Sequence, residues 1–334
     1  MPDWLAPGVS NRSLLGDLSK SFRCPSCQLQ LEFSSSYLSC PNSHRFEYRD
    51  GYLDASIAPT DARTVKTFES FGYEWNTFDD MREEDKEFWN SYTTGVPFTN
   101  LQSKIGLDAG CGKGRYSRFL SSHVGLLVAL DGSSSVVSAA RNLNSLGNVV
   151  VIKGDLRNVP FADETFNFIM SLGVLHHLDN PYEGFTKLVN LLRPDGMLFL
   201  YLYSAPEGRG IRQVGLAAAR EMRRVTTRLP FKFLRALCLP LAAILRVLLV
   251  IPGEIGDRRK IAKLSSLPLT TYRTKSFRSL WLDTFDRLSA PIEHRYRWPE
   301  LQSWFDQAGL NVESVREDAG WYFTLRKDVP LDKS

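Results

Sequence analysis

The sequence predicts an α/β protein: a doubly wound, mostly parallel seven-stranded sheet, preceded by a small Cys/His module and interrupted by a helical insertion. Three observations carry this. From Lys104 onward short apolar runs alternate with helical stretches. Three of the five cysteines and one of the five histidines fall within residues 24–44. After Tyr203 the alternation stops for about ninety residues, in a basic and apolar segment, before it resumes.

The runs "KIGLDAG", "LLVALDG", "NVVVIKGD", "FNFIMSL" and "GMLFLYLY" are short and rich in Val, Ile, Leu and Phe, as expected of strands buried on both faces. Between them "RYSRFLSSH", "SVVSAARNLNSLG" and "PYEGFTKLVNLLRP" read as helices, the last stopped by Arg-Pro-Asp-Gly. Strand–helix alternation at this spacing implies a parallel sheet covered by helices, with ligands bound beyond the carboxyl ends of the strands. The helix "WPELQSWFDQAGL" and closing strands near "NVESVRE" and "WYFTLRK" complete seven strands. The expected domains are a Cys/His module (21–56), a helical cap or linker (57–103), the core (104–204), the insertion (205–290) and a closing helix with two strands (291–328). Residues 1–20 read as a loose polar leader.

Composition fits an ordinary globular chain, 43% apolar and 23% charged, with a net charge of +4. Sparse cysteines and the absence of a basic-then-apolar start point to a reducing, cytoplasmic setting, in which clustered Cys bind metal more often than they form disulfides. The spacing C-x2-C-x12-C-x3-H brings Cys24, Cys27, Cys40 and His44 to a four-ligand, closed and therefore structural zinc site, a zinc ribbon. About thirty residues bury little core unaided, so the metal would supply much of the folding energy of this module.

"LDAGCGKGRY" places Asp108 at the end of the first core strand, followed by Gly110, Gly112 and Gly114. Glycines let the backbone turn tightly and let a ligand approach the main chain. A carboxylate at this strand end would repel a pyrophosphate and attract an ammonium, which favours an adenosine cofactor carrying an amino acid over a dinucleotide. Cys111, inside the loop, reads as a small packing residue.

This stretch resembles the first motif of class I S-adenosylmethionine-dependent methyltransferases, of the type 11-like branch, and further motifs follow in order over residues 104–204. The resemblance implies a Rossmann-like fold with S-adenosyl-L-methionine as cofactor. It implies that Asp131, in "VALDGS", binds the ribose hydroxyls. It also implies that Asp155 and Leu156, in "KGDLRNVPF", hold the adenine. "FNFIMSLGVLHHLDNP" then puts Ser171 to Val174 under the methionine part, and "FGYEW", with Tyr73 and Trp75, folds over the cofactor. The catalytic residue is unknown from sequence; His176 and His177 are the candidates for a base.

The expected acceptor is a small-molecule, lipid-linked or cell-surface-saccharide substrate. The alternative is RNA, because bacterial rRNA guanine-N1 methyltransferases carry a similar N-terminal Cys/His module. "GVLHHLDNP" resembles the metabolite branch, and no basic stripe flanks the cysteines, so nucleic acid ranks second; a non-catalytic scaffold ranks below both. Between Ala205 and Ser265 there are 13 Lys/Arg against 4 Asp/Glu, a local excess of +9. Ile211, Val214, Ala218, Met222, Val225 and Leu229 form a helical stripe there. The stripe reads as a lid packed on the core or, through residues 206–265, as a peripheral membrane contact at the inner face. The following "PFKFLRALCLPLAAILRVLLVIPG" has an uncharged run of only ten residues, broken by Pro240, and reads as too short to span a membrane.

Overall fold

The structure, a computed structural model, describes residues 10–34, 36–59, 61–206, 211–318 and 320–329. The described residues fall into two units: one runs up to Ala205 and resumes at Ile292, and the other is Pro206–Pro291. The second unit overlaps the insertion read at 205–290.

The first unit opens with α1 (Arg12–Ser21), capped by the Asn11 side chain. The expectation of a loose leader over 1–20 is corrected here. Leu15 and Leu18 are fully buried, and Phe22 at its end packs at a tilt against Phe161, with ring centroids 4.9 Å apart. Residues 1–9 lie outside the described residues. Next come β1 (Glu32–Phe33), β2 (Tyr37–Ser39), β3 (Arg45–Arg49) and β4 (Tyr52–Asp54). A two-residue turn joins β3 to β4, with Asp50 and Gly51 both in the left-handed region, the turn form whose twist suits a hairpin.

After α2 (Ala62–Thr77) and α3 (Glu84–Tyr92) the alternating core begins. Its elements are β5 (Ile105–Ala109), α4 (Ser117–Leu120), β6 (Leu126–Asp131), α5 (Val136–Leu143), β7 (Val149–Lys153), β8 (Phe166–Leu172), α6 (Pro181–Leu191) and β9 (Leu192–Tyr203). Each core strand coincides with an apolar run, because strands covered on both faces carry no polar alternation.

The second unit holds α7 (Ile211–Thr226), α8 (Phe231–Leu245), α9 (Ile251–Arg259), α10 (Ala262–Ser265) and α11 (Phe277–Ser289). The first unit then closes with α12 (Trp298–Gln307), β10 (Leu310–Glu317) and β11 (Gly320–Lys327).

One sheet of eleven strands runs β1-β2-β3-β4-β7-β6-β5-β8-β9-β11-β10. The seven from β7 to β10 are the expected core, parallel except where β11 runs antiparallel to β9 and β10. The other four belong to the Cys/His module. That module is not a separate bead: β4 pairs in parallel with β7, Leu53 beside Ile152 and Asp54 beside Lys153. Its backbone is also stitched to the stretch beyond β7, through Arg23 N–H to Pro160 O at 3.0 Å and Ala162 N–H to Ser21 O at 2.7 Å.

In the second unit α11 packs on both α7 and α8. Trp281 donates to the carbonyl of Arg235 at 3.0 Å, and Thr226 to that of Leu288 at 2.7 Å. Val214 and Val225 of the α7 stripe are 70% and 62% exposed and Met222 is exposed too; among the described side chains of this helix, Ala219 is buried. The side chains of Ile211 and Arg212 lie outside the described residues. The reading of the apolar segment as too short is corrected: Phe231–Arg259 is one helix of 29 residues, long and apolar enough by length and composition to cross a membrane. It continues through Pro240 and a five-residue wider turn at Arg246–Val250.

Candidate functional site

The loop after β5 is built by backbone conformation. Gly110, Gly112 and Gly114 all have positive φ, at 91°, 55° and 80°. A Cβ on Gly110 would lie 2.3 Å from Val174, and one on Gly112 would lie 3.1 Å from Trp75, so glycine is required both by conformation and by close approach. The N–H groups of Gly110 and Cys111 donate to the carbonyl of Leu130 at 2.7 and 2.9 Å, and that of Gly112 donates to the Asp131 carboxylate at 2.9 Å. The other oxygen of Asp131 accepts from the backbone and hydroxyl of Ser133 at 2.8 and 2.7 Å.

Asp108 is fully enclosed. Its carboxylate accepts from Ser117 Oγ at 2.6 Å. Burial pushes its pKa up to about 7; the Ser117 hydrogen bond opposes the shift, and the charge of Asp131 adds to it. Two carboxylates near one glycine turn, one of them desolvated, form a site for a cation and not for a phosphate.

Helix α2 roofs this site. Its N-cap is Asp61, which accepts from Thr64 N–H at 2.7 Å. Along one face it makes successive close approaches to the loops after β5 and β6. A Cβ on Gly132 would meet the Phe68 ring at 2.6 Å, and one on Gly72 would meet Ser134 Oγ at 2.3 Å. Asn76 reaches Ser134 and Ser138, and Trp75 covers Gly112. Of the two aromatic residues expected over the cofactor, Trp75 lies against Gly112, and Tyr73 sits half-buried on the same helix. Sequence reasoning missed Lys113. Its buried ammonium donates to the carbonyls of Phe78 and Asp80, both at 2.7 Å, and so ties the segment after α2 to the glycine loop. Burial lowers its pKa to about 8. Its place inside the glycine motif was the available signal.

The remaining expected residues are distributed as follows. Asp155 follows β7, next to Gly154, whose N–H donates to the carbonyl of Asp131 at 2.9 Å. The Asp155 carboxylate is gripped by Arg157, with Nε at 3.1 Å from each oxygen and the terminal nitrogen at 2.6 Å. Leu156 is buried beside it. Ser171 points inward and donates to the Ala109 carbonyl at 2.9 Å, joining β8 to the end of β5. His176 is completely buried and stacked on Tyr203 at 3.8 Å; burial holds its pKa well below the ordinary imidazole value. His177 packs edge-on against Phe71, and its Nδ1 lies 2.7 Å from the Ile292 carbonyl. A carbonyl only accepts, so Nδ1 carries a proton, and in the neutral ring the lone pair is then on Nε2. Cys111 is buried, as expected of a packing residue.

The four Cys/His ligand atoms converge. Cys24, Cys27 and Cys40 Sγ lie 3.3, 3.8 and 3.4 Å from His44 Nδ1, Cys27 and Cys40 are 3.7 Å apart, and all four atoms fall within 4.8 Å of one another. Burial opposes ionisation of Cys40, but the backbone N–H groups of His44 and Asn42 and the neighbouring thiols outweigh it and bring the pKa down to about 7. The cluster fits a tetrahedral metal centre, in which Zn–S bonds of about 2.3 Å imply S···S edges of about 3.8 Å.

The strand order β7-β6-β5-β8-β9-β11-β10 brings the glycine loop after β5 beside the end of β6, at the centre of the sheet. The model of the methyltransferase domain family matches residues 107–200. Among curated proteins, the chain is 30% identical over 118 residues to the tRNA (carboxymethyluridine(34)-5-O)-methyltransferase of Saccharomyces cerevisiae, covering 34% of this chain and 40% of that protein. It is 25% identical over 118 residues to phthiotriol/phenolphthiotriol dimycocerosates methyltransferase 1 of Mycobacterium ulcerans, covering 35% and 44%. A solved SAM-dependent methyltransferase from Aquifex aeolicus is 17% identical, with coverage of 76% and 97% and a TM-score of 0.44. Over residues 107–200 the chain carries a methyltransferase domain, and over this region it is similar to S-adenosylmethionine-dependent methyltransferases. It spans less than half the length of the two curated relatives named.

Proposed function

We propose that the chain transfers a methyl group from S-adenosyl-L-methionine to a small-molecule, lipid-linked or saccharide acceptor. The observation that carries this is the convergence of Asp108 and Asp131 on one glycine turn under the roof of α2. In this reading Asp108 takes the ammonium of the cofactor and Asp131 its ribose hydroxyls. Leu156 and the segment around Asp155 form the adenine side. The cofactor supplies an activated methyl group. The protein's part is to hold donor and acceptor aligned and out of water. Trp75 and Gly112 close the site on one side. Where the acceptor needs to lose a proton, His177 suits the task better than His176: its tautomer is fixed by Ile292, whereas His176 is locked in a stack with Tyr203.

RNA is the second reading, supported by the similarity to a tRNA methyltransferase. The relatives also include an enzyme of lipid-type acceptors and a malonyl-[acyl-carrier protein] O-methyltransferase, so likeness alone does not choose. Incubating the chain with methyl-labelled cofactor and separated lipid, small-molecule and RNA fractions tests the choice. Label in the lipid or small-molecule fraction supports the first reading; label confined to RNA replaces it. The Cys24, Cys27, Cys40 and His44 cluster is proposed to hold one structural zinc.

A further inference from the structure

The second unit carries an apolar face that its own packing leaves open. The helix Phe231–Arg259 buries Leu234, Cys238, Ala242 and Val250. Leu280 and Trp281 of α11 pack in the same cluster as Ala242 and Val250. Around the cylinder from these lie Phe233, Leu237, Ile244, Val247, Leu248 and Ile255, all exposed, Val247 and Leu248 by 61% and 62%. They recur at steps of three, four and seven, so they form one stripe. From Phe233 to Ile255 the stripe runs about 33 Å at 1.5 Å per residue. An open apolar face of this length marks an interaction surface.

The charges around it say what covers it. Arg246, midway along the helix, is turned towards Glu254 at 3.9 Å. Cations stand at the two ends: Lys232 at the start, and Arg258, Arg259, Lys260 and Lys263 at the finish, all exposed. Residues 205–265 carry an excess of +9. An apolar stripe flanked by Lys and Arg complements the acyl boundary and the anionic headgroups of a bilayer. A second copy of the same surface would bring like charges together.

We infer that this helix docks the protein on an anionic membrane surface, lying in the interface with the stripe inserted and its buried face still seated on α11. The packing argues for lying on the membrane over crossing it. A spanning helix would have to leave α11 or carry it into hydrocarbon, and α11 bears Arg278, Asp283, Asp286 and Arg287 within thirteen residues. The inference goes beyond the methyl-transfer reading and does not depend on it.

The test is co-sedimentation of the full chain, without cofactor, with vesicles of phosphatidylcholine alone or mixed with phosphatidylglycerol. The expected result is binding to the mixed vesicles, weaker by about tenfold on phosphatidylcholine alone. Val247→Glu combined with Leu248→Glu should lower the partition by about tenfold with an unchanged melting curve, since both side chains are exposed. Arg258→Glu combined with Arg259→Glu should lower it only on the mixed vesicles, and alkaline carbonate should release the bound protein. Four results would overturn the inference: no binding to either vesicle; unchanged binding by the Val247/Leu248 variant; a dimer abolished by that variant without any vesicle binding; or retention after carbonate that only detergent relieves, which would make the helix a span.

Discussion

Gly112 donates its backbone N–H to the carboxylate of Asp131 at 2.9 Å, so the turn after β5 and the end of β6 are held as one piece. The bond fixes where the Asp131 carboxylate sits before any ligand arrives. Trp75 covers the same glycine from α2, and Lys113, the next residue, anchors the segment that follows α2. Cofactor loop and roof are therefore mechanically linked, and perturbing one should be felt at the other.

The roof can be tested at Gly72. An added methyl group there would sit 2.3 Å from Ser134 Oγ, so the helix or the loop after β6 must move. Gly72→Ala is expected to lower the melting temperature and to weaken cofactor binding by about tenfold, and Trp75→Ala to weaken binding with less effect on melting. Cofactor titration and thermal melts of both variants check this; unchanged binding in both would detach α2 from the site.

Asp108 makes the site sensitive to pH. In the free protein its pKa lies at about 7 through burial, while a bound ammonium requires the carboxylate. Cofactor binding should then release a proton below about pH 7, and affinity should rise with pH through that range and level off above it. The sign for stability is opposite. The folded pKa is raised above the ordinary value of 3.8, so the contribution of this group to the stability of the free chain is full below about 4 and lost as pH rises through about 7. Calorimetry in two buffers of different ionisation enthalpy measures the proton count; its absence at pH 6 would contradict the assignment of Asp108.

A metal held by the Cys/His cluster should be felt in the core. Cys24, Cys27, Cys40 and His44 hold together a module whose β4 pairs with β7 and whose Phe22 packs on Phe161, shortly after Asp155 and Leu156. Cys27→Ala or chelation should remove one zinc per chain, speed hydrogen exchange of the β7 amides, and weaken cofactor binding. Full-length protein that holds no zinc, or a zinc-depleted chain with native exchange in β7, would break this link.

A proton acceptor would show in the pH profile. His177→Gln keeps a group able to donate to the Ile292 carbonyl but removes the lone pair of a base. Once the acceptor is known, it should lower kcat by about a hundredfold with cofactor affinity preserved, and flatten the acid limb of the rate profile. Equal loss from His176→Phe, which keeps the stack on Tyr203, would count against His177.

The parts of this structure set by local pattern could be read from sequence. The core strands were legible because both faces are covered, and the glycine loop and the Cys/His spacing because their chemistry is short-range. What depended on distant partners was not. Helix α1 is polar by composition, yet it is ordered because Leu15 and Leu18 are buried in the core. Strand β4 has three residues, and its pairing with β7 carries no sequence mark. The Phe231–Arg259 helix continues through Pro240, a residue that usually ends one, with Cys238 and Ala242 on either side of it buried. Lys113 is a buried anchor only because two carbonyls of the segment after α2, distant in sequence, accept from its ammonium.

Calorimetric titration of the full chain with S-adenosyl-L-methionine, beside Asp108→Ala and Asp131→Ala, tests the central claim most directly. The account predicts one site on the parent chain and affinity lower by about tenfold in each variant. No binding by the parent chain, or the same affinity in all three proteins, would contradict it.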